Sequence, residues 1–105
     1  VEEGVAKFYF ATGSAELPHG TDEALSDAVR IANQRGKKLG VSGYHDATGD
    51  AAANANLAKR RAQAVHKAIL AQGVAARNVE LRKPEVTQTE GRNDESRRVE
   101  VFIID

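Results

Sequence analysis

The apolar residues of this chain switch between two periods, and the order of the switches restricts the folds open to it. "VAKFYF", Val5 to Phe10, is rich in β-branched and aromatic residues and ends at the turn-forming "ATGSAELPHG", so it reads as a strand running into a loop. Thr21 before Asp22 and Glu23 predicts an N-cap with acids in the first turn, and Leu25, Ala28, Val29 and Ala32 recur at helical spacing until Gly36. A short strand from Lys38 to Tyr44 leads into the loop "HDATGD", after which Asp50 can cap a long helix from Ala51 to Gln72, closed by Gly73. Two further strands, Asn78 to Pro84 and Arg97 to Asp105, flank the polar "EVTQTEGRNDES". The order is β-α-β-α-β-β. It predicts an α/β (α+β) two-layer sandwich: a mixed four-stranded sheet covered by two main helices, with the last pair of strands at least partly antiparallel.

At 105 residues the chain can bury one modest core, so residues 1–105 are read as a single domain. It starts at Val1 without methionine and has no signal-peptide pattern, which is expected of a domain taken from a longer protein. Fifteen Lys and Arg balance fifteen Asp and Glu. That removes the electrostatic footprint of a nucleic-acid or acidic-membrane binder, so any anion site must be local. Cysteine is absent, which excludes a disulfide framework and a thiolate metal site. No apolar run approaches a membrane span, and no membrane contact by the domain itself is expected.

One residue breaks the helical pattern of "LAKRRAQAV". Advancing about 100° per residue from Leu57, the residues Ala68, Val65, Ala58, Ile69 and Ala62 span an arc from about 20° to about 140°. Lys59, Arg60, His66 and Lys67 fall on the opposite, solvated side. Arg61, at about 40°, lies inside the apolar arc, and so does Asn54 at about 60°. A guanidinium cannot escape burial by losing its proton, so it must find acceptors inside the fold, snorkel out, or face a ligand. In an open α/β arrangement ligands bind where a strand's carboxyl end enters a helix, and Asp46 stands there in "GYHDATGD". Asp46 could equally cap the loop. Together the two residues offer a carboxylate and a guanidinium, which suits a zwitterion.

"GYHDATGD...NANLAKRRAQAV" resembles the G-H-T-D-x-x-G...N-x-x-L-S-x-x-R-A motif of the OmpA-like peptidoglycan-binding domain, and the Asp-to-Arg spacing fits without a gap. "FYFATGSAEL", "AQGVAARNVEL" and "SRRVEVFI" are similar to that family's first strand, its second-helix exit with third strand, and its final strand. The resemblance implies non-covalent binding of the meso-diaminopimelate of the peptidoglycan stem peptide. Asp46 and Arg61 would hold its ammonium and carboxylate, and Ala47, Thr48, Gly49 and Asn54 would complete the pocket. It also implies a place in the periplasm of a Gram-negative envelope, attached to a membrane-anchored or outer-membrane protein.

The chain departs from the family pattern at several places. Tyr44 and His45 replace His and Thr, Ala58 replaces Ser, Ala11 replaces Asp, Ser96 replaces Asn, and "RKPEVTQ" stands for the G-x-G-E-x-x-P segment. Neither charged binder is lost. An enzyme built on His45, Asp46 and His66 lacks a third ligand at metal spacing, and neither Ser14 nor Ser42 has a nucleophile motif. No catalytic residue, metal or cofactor is therefore expected. The alternative is a structural or protein–protein module of an envelope assembly with weak or no peptidoglycan binding.

Overall fold

A computed structural model describes residues 2–46, 49–87 and 93–104. The strands are β1 (Glu2–Tyr9), β2 (Lys38–His45), β3 (Val79–Leu81), β4 (Glu85–Val86) and β5 (Arg98–Ile104), and the helices are α1 (Thr21–Arg35) and α2 (Ala51–Ala71). Short 3-10 turns at Ala76–Asn78 and Asn93–Arg97 precede β3 and β5.

The strands lie in the order β1-β5-β2-β3, with β4 pairing β2 beyond β3. β5 runs antiparallel to both β1 and β2, while β3 and β4 run parallel to β2. The final strand is therefore inserted between the first two, whose helical crossover leaves room for it. The sheet has five strands where the sequence predicts four. The strand expected over Asn78–Pro84 stops at Leu81, because Pro84 has no N–H to give the ladder, and pairing with β2 resumes at Glu85.

Alternation along β2 and β5 turns Leu39, Val41, Val99, Val101 and Ile103 toward the helices, where they meet Leu25 and Val29 of α1 and Val65 and Ile69 of α2. Each such side chain contributes about 1.5–3 kcal/mol when fully buried. Gly43 lets α2 close on the sheet: a Cβ there would lie 2.5 Å from the carbonyl oxygen of Ala58. The helices cover one face only. The other carries Gly40, Ser42, Tyr44, Arg98, Glu100 and Phe102, with Arg98 stacked 3.7 Å over the Tyr44 ring and bonded to Glu100 at 2.7 Å.

Both helix ends on either side of the site follow the sequence, with one correction. Asp50 accepts from the Ala53 N–H at 3.1 Å as the N-cap of α2. At α1 the cap position belongs to Gly20, with a positive φ, while Thr21 is the first helical residue and its hydroxyl donates to the Pro18 carbonyl at 2.5 Å. Thr21 is turned into the loop by that bond, so it cannot cap.

Candidate functional site

Arg61 is only 3% exposed, on the same side of α2 as Ala58, Ala62 and Val65. Its acceptors come from the loop after β1. There the Ser14 N–H closes a turn on the Ala11 carbonyl at 3.1 Å, and Gly13 takes the positive φ that such a turn tolerates best in glycine. Arg61 Nε donates to the Ser14 carbonyl at 2.7 Å and Nη2 to the Ala11 carbonyl at 3.0 Å. The Phe10 ring lies 5.5 Å from the guanidinium carbon. Among the described residues Nη1 has no hydrogen bond and no buried side-chain nitrogen lacks a partner, so Nη1 faces open space. Desolvation first, then Arg97 and Arg60, lower the Arg61 pKa. A guanidinium keeps its charge even so.

That open space is a cavity of about 290 Å³ lined by both Asp46 and Arg61. Asp46 leaves the carboxyl end of β2, and Asn54, from the first turns of α2, donates Nδ2–H to its Oδ1 at 3.3 Å. Of the sequence-predicted site residues, Asp46, Asn54 and Arg61 thus share one cavity. Gly49 is exposed, outside the lining, at a positive φ in the turn before the Asp50 cap. Ala47 and Thr48 lie outside the described residues.

Sequence reasoning missed several lining residues. His45, Leu57, Thr12, Gly13, Ser96 and Arg97 complete the wall. Alternation along β2 could have found His45, which follows Leu39, Val41 and Gly43 onto the helix-facing side. His45 Nδ1 lies 2.9 Å from the Asp46 carbonyl oxygen. A carbonyl only accepts, so this bond places a proton on Nδ1. Arg97 Nε donates to the Phe10 carbonyl at 2.9 Å, and the Phe10 N–H returns a bond to the Arg97 carbonyl, also at 2.9 Å. The cavity therefore sets one carboxylate against two guanidinium groups, an arrangement that can hold a small zwitterion by charge-assisted hydrogen bonds.

A sequence model of the OmpA family matches residues 9–99, a span that holds both helices and strands β2, β3 and β4. The chain belongs to the OmpA family. Comparison with curated proteins gives no match. Among solved structures, this OmpA-family domain is similar in fold to the peptidoglycan-associated lipoprotein from Burkholderia pseudomallei, at TM-score 0.79 and 20% identity over 93% of this chain and 89% of that one. The OmpA-like domain of FopA1 from Francisella tularensis gives TM-score 0.78 and 22% identity over 97% and 80% of the two chains. The cell wall anchor of the T6SS from Pseudomonas aeruginosa gives 0.70 and 19% over 91% and 74%. No described helix of the OmpA-family domain is long and apolar enough to cross a membrane.

Proposed function

We propose that the domain binds peptidoglycan without covalent chemistry, through the meso-diaminopimelate of the stem peptide, and so tethers an envelope protein to the cell wall in the periplasm. The observation that carries this reading is the pairing, on one open cavity, of a carboxylate after β2 with a guanidinium at the inner edge of α2. The far end of diaminopimelate bears an ammonium and a carboxylate on one carbon. Asp46 matches the ammonium, and the free Nη1 edge of Arg61, with Arg97 beside it, matches the carboxylate. Asn54 orients Asp46, and by the resemblance to the family Ala47, Thr48 and Gly49 would complete the pocket. The names of two similar structures, a peptidoglycan-associated lipoprotein and a cell wall anchor, support the wall-binding part of this reading. Binding alone is required of these residues. Retention on the wall would come from many moderate sites along one polymer.

A second reading has one observation in its favour. Arg61 gives two of its donor nitrogens to backbone carbonyls, so its burial has a structural reason apart from any ligand. A protein-interaction module with little wall binding would keep that arrangement. Co-sedimentation with purified sacculi separates the two. The domain should pellet with diaminopimelate-type sacculi and less with lysine-type sacculi, and Asp46→Asn should abolish the difference. A domain that stays in the supernatant with both would be the interaction module.

A further inference from the structure

A second cavity, of about 430 Å³, lies on the other flank of α2, between that helix and the outer edge of the sheet. Its lining includes Lys59, Arg82 and Lys83, with no acidic residue, around a floor of Ala62, Leu81 and Pro84. In a chain of zero net charge this is a local cationic surplus. Arg82 is engaged by Glu80 at 3.5 Å and by the Phe102 ring. Lys59 and Lys83 are exposed and make no ion pair among the described residues.

The same edge offers main-chain groups. Among the described residues β3 ends the sheet, with β2 as its one neighbour. Its register sets Leu81 beside Val41, and the Arg82 N–H bonds the Val41 carbonyl at 2.9 Å. Alternation in a parallel ladder then turns the N–H and C=O of Leu81 outward. Leu81 shares the helix-facing side of the sheet with Val41, yet it is 38% exposed, and no described strand lies beyond β3 to cover it.

We infer that this groove docks an extended acidic segment of a partner protein. The segment adds to the edge of β3, lays an apolar side chain over Ala62, Leu81 and Pro84, and sets a carboxylate between Lys59 and Lys83. Strand addition supplies affinity through the main chain, and the groove reads alternate side chains. A protein segment fits where a cell-wall peptide does not, because alternating L and D residues joined through side chains cannot present a continuous ladder of evenly spaced amides. The surface is separate from the cavity beside Asp46, so its test is independent of wall binding.

The test is selection of a randomised library of eight-residue displayed peptides on the domain, with the Lys59→Glu/Lys83→Glu double variant as counter-selection. Enriched peptides should carry Asp or Glu next to Val, Ile or Leu at alternate positions. Synthesised singly, they should bind the parent at least about tenfold more tightly than the double variant. They should shift the amide resonances of Leu81 and Lys83 and leave those of Asp46 and Arg61 in place. Both lysines are exposed, so matching thermal melts are expected of parent and variant; Leu81→Ser, with the charges intact, should weaken the same peptides. No enrichment, equal binding to the double variant, or shifts centred on Asp46 would each overturn the inference. So would two other results: a muropeptide shifting Leu81 and Lys83, or a concentration-dependent dimer that the charge reversal abolishes, which would give the groove to a second copy.

Discussion

Two arginine pairs show how periodicity assigns roles to neighbours. In α2 the roughly 100° step between consecutive residues sends Arg60 to solvent and Arg61 to the cavity. At the start of β5, Arg97 lines the cavity while Arg98 crosses to the uncovered face and stacks on Tyr44. Exchanging Arg61 for Lys should therefore have two effects. The Ala11 and Ser14 carbonyls lose aligned donors, which is expected to cost about 1–3 kcal/mol of stability, read as a lower melting temperature. Diaminopimelate-peptide binding, measured by calorimetry below the melting range of both proteins, should fall at least about tenfold, or about 1.4 kcal/mol. Asp46→Asn should show the second effect without the first, and Arg60→Ala neither, since an exposed charge contributes little. Equal losses from Arg60→Ala and Arg61→Lys would reverse the assignment. That Arg61 points inward is legible in "LAKRRAQAV", because the signal is a local period. Its carbonyl partners, some 47 and 50 residues away, are not, because backbone oxygens carry no side-chain identity.

Strand β2 is where the elements are most tightly specified. Its two faces do different work: Gly43 accepts the close approach of α2, while Ser42 and Tyr44 face the uncovered side. Gly43→Ala would press a methyl on the Ala58 carbonyl, which is backbone and cannot rotate away. The expected cost is about 1–3 kcal/mol in a denaturant melt. Ligand binding should fall with it, because Asn54 and Arg61 are carried on the displaced helix. On the other face, burial first, then the hydrogen bond to Glu85 and the charges of Glu100 and Glu85, push the Tyr44 hydroxyl up to about 12. The folded state thus holds its proton where the unfolded chain, at an ordinary value of 10.0, releases it. The stabilisation is complete below pH 10 and is lost as pH rises toward 12. Thermal melts across that window should fall more steeply for the parent than for Tyr44→Phe, and parallel slopes would refute the coupling. The element order and both helices were legible in the sequence because each spans several periods. β4 was not: a two-residue strand has no period to read, and Pro84 masked the resumption of pairing.

At the scale of the molecule, the decisive fact is that the last strand lies inside the sheet. Sequence order alone gave no sign of this, since strand neighbours are set by crossovers, and in a sheet covered on one face a central strand carries the same alternation as an edge strand. In the folded chain Val99, Val101, Phe102 and Ile103 of β5 are all buried. The arrangement makes β1 dependent on β5, its one sheet partner among the described residues, through pairs such as Glu3 with Ile103 and Tyr9 with Arg98. The site depends on it as well: Arg97 and Ser96 line the cavity from the approach to β5, and the mutual bonds of Arg97 and Phe10 anchor the loop that holds Arg61. Removing residues 98–105 should therefore abolish the cooperative far-UV circular dichroism transition and peptide binding together. The cut splits the sheet into two unpaired halves and exposes a core to which Val99, Val101 and Ile103 contribute about 1.5–3 kcal/mol each. Removing residues 1–4 is the matched control. It trims an edge strand before its bulge and costs the exposed Glu3–Arg35 pair, which is worth little, so a cooperative melt and binding should remain. If the chain without β5 still melted cooperatively and bound the peptide, β1 would have to find its partner elsewhere, and the central place of β5 in organising the cavity would be wrong.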